Sequence, residues 1–295
     1  MYSTSIMQAH RLVLPLVRIG YWFACIVALL SSPALAQTDD LKLPLHLPVS
    51  GEQSDALVTT LQQLADAADL SNLKVVSADR WLDYQQGIRS GRRGLYLAAP
   101  HFAAWAIHNH NFSPLIRLPG SLSYVVAAAR NDASIFEMND LANQAVCSRQ
   151  PLNLDYLMIN RAFDNPLLSA RIQIVPSVRA EMRRASSRCR GFSLTDREFE
   201  LIAAIFHERY IRLQQSIKYS NLVLIADPSS SKVQTDLVEA VADLLSSKAA
   251  REALSPWLRE WSGQPVWIKA QRGDYPRSYM QVLESFWRRS VPTSE

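Results

Sequence analysis

Residues 136–163 read FEMNDLANQAVCSRQPLNLDYLMINRAF, and the rest of the chain is arranged around them. Residues 138–141 have the pattern of a short helical lead-in, and 144–147 form an apolar run suited to a buried strand. Ser148, Arg149, Gln150 and Pro151 then break the apolar pattern. After them Leu152, Met158 and Ala162 recur at near-helical spacing. A strand that turns through small polar residues into a helix leaves backbone N–H groups pointing outward, and the helix dipole adds positive potential there. Such a turn suits an anion. Pro151 fits the first helical position, where its missing N–H would be unpaired anyway. The same pattern also describes an ordinary strand–turn–helix with a serine cap.

Working outward, the sequence on either side alternates strands and helices. Strand patterns are expected at 41–48, 73–77, 95–99, 115–118, 123–129, 171–175, 191–194 and 221–226. Helical periodicity is expected at 53–69, 78–89, 101–108, 177–187, 198–206, 230–245, 249–261 and from about 276 onward. Strand–helix alternation on this scale predicts α/β architecture, with mainly parallel sheets covered by helices. The element order repeats on both sides of the opening stretch. Two lobes are therefore expected, 38–125 plus 220–295 and 126–219, with a cleft where strand ends of both face each other.

The first 36 residues are set apart as a targeting segment. Their charges are Arg11 and Arg18, followed by an apolar run at 21–30 and the small-residue pattern Pro33-Ala34-Leu35-Ala36. This is the pattern of a signal peptide cut after Ala36, which predicts a periplasmic location. A retained membrane anchor is the other reading of the same run, although the run is short for a span. Cleavage would leave 259 of the 295 residues and lower the formal charge from +4 to +2. That charge, with no dense basic-plus-aromatic stripe, gives no reason to expect a nucleic-acid partner.

Cys147 and Cys189 are the cysteines beyond the targeting segment. In an oxidising compartment they are expected to be bonded, although sequence distance neither permits nor excludes it. They make a poor metal set without nearby histidines, and no metal site is expected. Nine glycines and neither G-x-G-x-x-G nor a P-loop disfavour nucleotide folds, and no cofactor is expected. His101, His108 and His110 lie close in sequence without carboxylates. Ser229-Ser230-Ser231-Lys232 contains an S-x-x-K spacing, but S-D-N and K-T-G are absent. No G-x-S-x-G or H-E-x-x-H occurs, so no enzyme chemistry is expected. Arg179, Arg183, Arg184, Arg188 and Arg190 form a basic helix and turn, read as a solvated face.

Residues 73–142 resemble the periplasmic solute-binding proteins of the phosphate, phosphite and phosphonate transport type. The features are a strand ending in Pro100, Gly120 with Tyr124, and the phrase Arg130, Asp132, Ser134, Ile135, followed by Asp140-Leu141. The phrase at 221–247, NLVLIADPSSSKVQTDLVEAVADLLSS, and the tail at 273–284, GDYPRSYMQVLE, resemble that family's return to its first lobe. The resemblance implies a two-lobed, type 2 periplasmic binding protein-like fold. It implies a small oxyanion ligand, and a membrane permease or sensor as partner.

The departures fall on the ligand loops. Ser148-Arg149-Gln150-Pro151 stands where the family has Ser, Thr and Gly. Ser177-Val178 stands where it often has His, and Cys189-Arg190-Gly191-Phe192 where it often has Asp-Ala. Pro151 removes one donor, and Arg149 offers a guanidinium fork in its place. The candidate ligand residues are Ser148, Arg149, Gln150, Asn153, Tyr96, His101, Ser177 and Tyr219. Tyr96 is also readable as plain core. The alternative function is a degenerate binding-protein fold that acts as an interaction module without a small ligand.

Overall fold

The structure is a computed structural model, and it describes residues 42–48, 52–77, 81–149, 154–163, 168–184, 187–206, 209–258 and 266–289. The expected signal segment, Gln150, Pro151 and Asn153 lie outside the described residues.

The first sheet has the order β13-β4-β12-β3-β1-β2. Its strands are β1 (Leu43–Leu47), β2 (Leu73–Ser77), β3 (Leu95–Ala98), β4 (Ser113–Arg117), β12 (Val223–Ala226) and β13 (Ile268–Lys269). The second has the order β10-β6-β9-β7-β8. It is built from β6 (Tyr124–Ala129), β7 (Ala145–Ser148), β8 (Arg171–Ile174), β9 (Gly191–Thr195) and β10 (Tyr210–Gln215). Between the sheets, β5 (Ser121–Leu122) pairs antiparallel with β11 (Tyr219–Ser220). The chain leaves the first sheet through β5 and returns through β11, so its two crossings run side by side.

The helices are α1 (Glu52–Ala67), α2 (Trp81–Ser90), α3 (Pro100–Asn109), α4 (Leu154–Arg161), α5 (Val178–Arg183), α6 (Asp196–Phe206), α7 (Pro228–Val233), α8 (Thr235–Ser246), α9 (Lys248–Leu258) and α10 (Gln281–Arg289). The helix expected at 230–245 is broken at Gln234, which ends α7 and precedes α8.

Period-two side-chain alternation divides the core. Leu95 and Leu97 of β3 face one cluster with Leu43, Leu45 and Leu224, while Tyr96 and Ala98 face the other with Tyr84 and Phe102. In the second sheet Val125, Ala127, Cys147, Phe192 and Leu194 share one face, and Val126, Ala128 and Val146 the other. The Tyr96 cluster also takes in Leu154 and Leu157 of α4, Leu283 and Trp287 of α10, and Tyr219. One apolar body thus reaches from α2 and α3 through the C-terminal helix to the second sheet.

The sheets are mainly parallel in direction, as expected, with antiparallel strands set into each. β1 runs parallel to β2 and β3, but β12 runs antiparallel to both β3 and β4. In the second sheet β7 is parallel to β8 and β9, whereas β6 is antiparallel to β9 and β10. β6 and β12 are the strands that follow the two crossings. Each enters its sheet from the far side and so runs against its neighbours. β10 was not anticipated, because its half-buried edge pattern has no apolar run.

Gly94 sits at φ 141°, and a Cβ there would come within 2.9 Å of the Pro44 carbonyl oxygen. Its N–H donates to Asp227 Oδ2 at 2.9 Å, and the other Asp227 oxygen caps α7 by accepting from the N–H groups of Ser229 and Ser230. The serine run of the S-x-x-K spacing is therefore capped from outside by an aspartate.

His46 stacks on Tyr96 with ring centroids 4.4 Å apart. Burial, together with the nearby Arg92 charge, lowers its pKa from 6.5 to about 4. The folded value lies below the unfolded one, so the unfolded chain takes up the proton first. Its contribution is fully present above the unfolded value and is lost as pH falls from about 6.5 to about 4, by up to about 3 kcal/mol. The melting temperature of the wild type should drop more across that window than that of His46→Phe. Parallel pH curves for the two proteins would contradict this assignment.

Candidate functional site

β7 and β9 are adjacent and parallel, with Cys147 opposite Phe192. Their carboxyl ends therefore emerge together, the place where open α/β sheets bind ligands. β7 ends at Ser148, followed by Arg149; β9 ends at Thr195 and passes directly into α6. Ser148, Arg149, Asp155, Ser193, Thr195 and Glu198 form the polar cluster at this end of the sheet.

Ser148 is fully buried, and its hydroxyl donates to Asp155 Oδ2 at 2.8 Å. Asp155 is the second residue of α4 and is itself buried. Burial raises its pKa; the Ser148 hydrogen bond, the Arg149 charge and the backbone N–H groups of Tyr156 and Asp155 pull the other way. Its Oδ1 has no hydrogen-bond partner among the described residues, and neither has the hydroxyl of the fully buried Ser193.

Arg149 Nη2 is ion-paired with Glu198 Oε2, the two side chains being 20% and 10% exposed. Glu198 is fixed in turn. Its Oε2 accepts from the Thr195 N–H and hydroxyl, both at 3.0 Å, while Thr195 Oγ1 accepts the Glu198 N–H at 3.3 Å. This is a capping box at the start of α6, spelled by Thr195-Asp196-Arg197-Glu198. That spacing was a readable signal for Glu198, and sequence reasoning passed over it. Nothing in sequence pointed to the Arg149–Glu198 pair, whose members are 49 residues apart.

Cys147 and Cys189 are joined in a disulfide, with their Cα atoms 5.6 Å apart. The bond ties the residue before Ser148 to the residue two positions ahead of β9. Both arms of the polar cluster thus leave a cross-linked base.

The other sequence candidates are placed elsewhere. Tyr96 is fully buried; its hydroxyl donates to the Arg92 carbonyl at 3.1 Å, and it belongs to the core of the first sheet. His101, the second residue of α3, is also fully buried, with its ring 4.2 Å from that of Phe102. Both are buried side chains packed near Phe102. Ser177 is the exposed N-cap of α5 and accepts the Ala180 N–H at 3.2 Å. Tyr219 lies in the crossing pair, buried against Tyr279 at 4.8 Å. Burial raises its phenol pKa, and the nearby Arg161 charge opposes the rise.

Among the described residues no group of three or more His, Cys, Asp or Glu is placed to hold a metal. His108 and His110 instead donate to the carbonyls of Tyr275 and Arg89, each at 2.8 Å. No described helix is long and apolar enough to cross a membrane.

No family model matches the chain, and no curated protein matches it in sequence. Solved structures do match in shape. XAC2383 from Xanthomonas citri, solved with ATP bound, aligns over 84% of this chain and 98% of its own at TM-score 0.56 and 13% identity. A binding-protein component of a phosphonate ABC transporter from Pseudomonas aeruginosa aligns over 84% and 86% at TM-score 0.57 and 11% identity. PhnD1 from Prochlorococcus marinus, in complex with methylphosphonate, aligns over 84% and 98% at TM-score 0.56 and 13% identity. With its two mixed sheets joined by paired crossings, the chain has the α/β fold of the periplasmic binding proteins, similar in shape to those of phosphonate transport.

Proposed function

We propose that the chain is a non-catalytic, periplasmic solute-binding protein for a small oxyanion of the phosphate or phosphonate class, serving a membrane permease or a sensor. Its leader is cut after Ala36, and its lobes are 38–125 plus 220–295 and 126–219. The paired strands β5 and β11 act as the hinge about which these lobes close on ligand. The observation that carries this reading is the position of Ser148 and Arg149. They stand where β7 meets the N-terminus of α4, so a hydroxyl, a guanidinium and a helix start converge at one strand end. Field and donors there favour negative charge without chemistry on the ligand. Ser177, just beyond the carboxyl end of β8, flanks this strand end, and Gln150 and Asn153 are the further ligand candidates from sequence.

Arg149→Ala should weaken oxyanion binding on the order of 10- to 100-fold, the scale of a charged hydrogen bond. A thermal-shift screen with phosphate, phosphite, methylphosphonate and small carboxylates finds the ligand class, because binding to the folded state raises its melting temperature. Unchanged affinity in Arg149→Ala would put the guanidinium outside the contact.

A specific observation favours the second reading, an interaction module without a small ligand. Ser148 donates to Asp155 and Arg149 pairs with Glu198, so both side chains already hold carboxylates of the chain itself. On that reading no oxyanion in the screen shifts the melting temperature.

A further inference from the structure

The Asp155 carboxylate uses the groups that the turn would offer to an anion. It accepts the Ser148 hydroxyl at 2.8 Å. The N–H groups of Tyr156 and Asp155, in the first turn of α4, and the Arg149 charge all favour its ionised form against burial. An ordinary helix-start aspartate does this at the surface, where water completes its shell. Asp155 does it while 3% exposed, and its Oδ1 is left without a hydrogen-bond partner among the described residues.

A second buried polar atom stands beside it. Ser193 follows Phe192, the register partner of Cys147, and so lies next to Ser148 across the β7–β9 pair. Alternation puts Ser193 on the same sheet face as Val126 and Val146, the face that packs against Ile159 of α4. Its hydroxyl also lacks a partner among the described residues. Buried polar groups are normally satisfied, and each exception calls for an explanation. Here two exceptions lie on the face beneath one helix start, and one of them is a carboxylate.

We propose that Asp155 is the specificity-determining residue of the oxyanion site: its carboxylate occupies the anion position, and an oxyanion binds there only by displacing it from Ser148. The inference rests on the oxyanion reading above. Two anions compete for one set of donors, so the chain's own carboxylate sets a threshold that a ligand must exceed. A weakly basic monoanion such as chloride fails it. A phosphate or phosphonate, with three oxygens to engage Ser148, Ser193 and the helix start together, passes it.

The test is calorimetric titration of wild type, Asp155→Asn and Asp155→Ser with inorganic phosphate and with methylphosphonate. Asparagine keeps the shape and the acceptor for Ser148 while removing the charge; serine removes the competing group altogether. Tighter binding by tenfold or more in either variant supports the proposal. Measurable wild-type binding that is unchanged or weaker in both variants overturns it and leaves the oxyanion reading standing. No binding by any of the three proteins overturns both. Failure of both variants to fold also overturns it, because a competitor for ligand is dispensable to the fold.

Discussion

Replacing Cys147 and Cys189 together by alanine should lower the unfolding free energy by about 4 kcal/mol. The bridge spans a sequence separation of 42, and confining a loop of that length restricts the unfolded ensemble strongly. Native packing adds to the effect. Cys147 is fully buried and Cys189 is 5% exposed, both within the cluster that holds Val125, Phe192 and Met182. β7 and β9 are linked independently by their ladder, so the sheet should survive and the loss should come mostly from the denatured side. Urea titration reads the change, and reduction of the wild type should reproduce most of it without altering packing. A loss below about 1 kcal/mol in both experiments would mean that the cross-link constrains little.

Phe102→Ala should cost about 3–5 kcal/mol. The ring is fully buried at the first turn of α3, and aromatic partners from two other helices pack against it. Trp81 lies 6.0 Å away, Tyr84 6.1 Å and Trp287 of the C-terminal helix 6.2 Å, centroid to centroid. Trp287 is also held edge-on by Trp105 at 4.7 Å and lies beneath the Arg89 guanidinium at 5.4 Å. Neighbours pinned from several sides cannot collapse into the space, so the cavity term stays near its full size. A fall in urea midpoint at unchanged slope is the expected reading. A cost below about 2 kcal/mol would show that the tail helix readjusts freely.

These cases show what the sequence made legible. The strands from β1 to β3, and β7 and α4, were readable because their apolar runs and breaks are local. The mixed direction of the sheets was not, since β6 and β12 owe their antiparallel pairing to crossings that join distant parts of the chain. β10 carries Arg212, Gln214 and Gln215 on a half-buried edge, and so lacks the run that marks a strand. Tyr96 and His101 lie near strand ends and are readable as cleft residues, Tyr96 equally as core. Alternation on β3 and the inward side of α3 bury them instead.

At the candidate site, Ser148 and Arg149 are proposed from the turn alone. Asp155 was passed over, although an acidic residue in the first turn of a helix is a readable cap signal. Its burial and its hold on Ser148 depend on how α4 packs across the sheet, and no local pattern encodes that. The Arg149–Glu198 pair shows the same limit. Each residue is locally unremarked, and the pair exists because β7 and β9 end side by side.

The most direct test of the central claim is isothermal titration of the leader-free protein with methylphosphonate and with inorganic phosphate, run beside Arg149→Ala. The account predicts saturable one-to-one binding of at least one of these by the wild type, weakened on the order of 10- to 100-fold in the variant. Absence of binding by the wild type, or equal affinity in the two proteins, would contradict the placement of an oxyanion at the turn after β7.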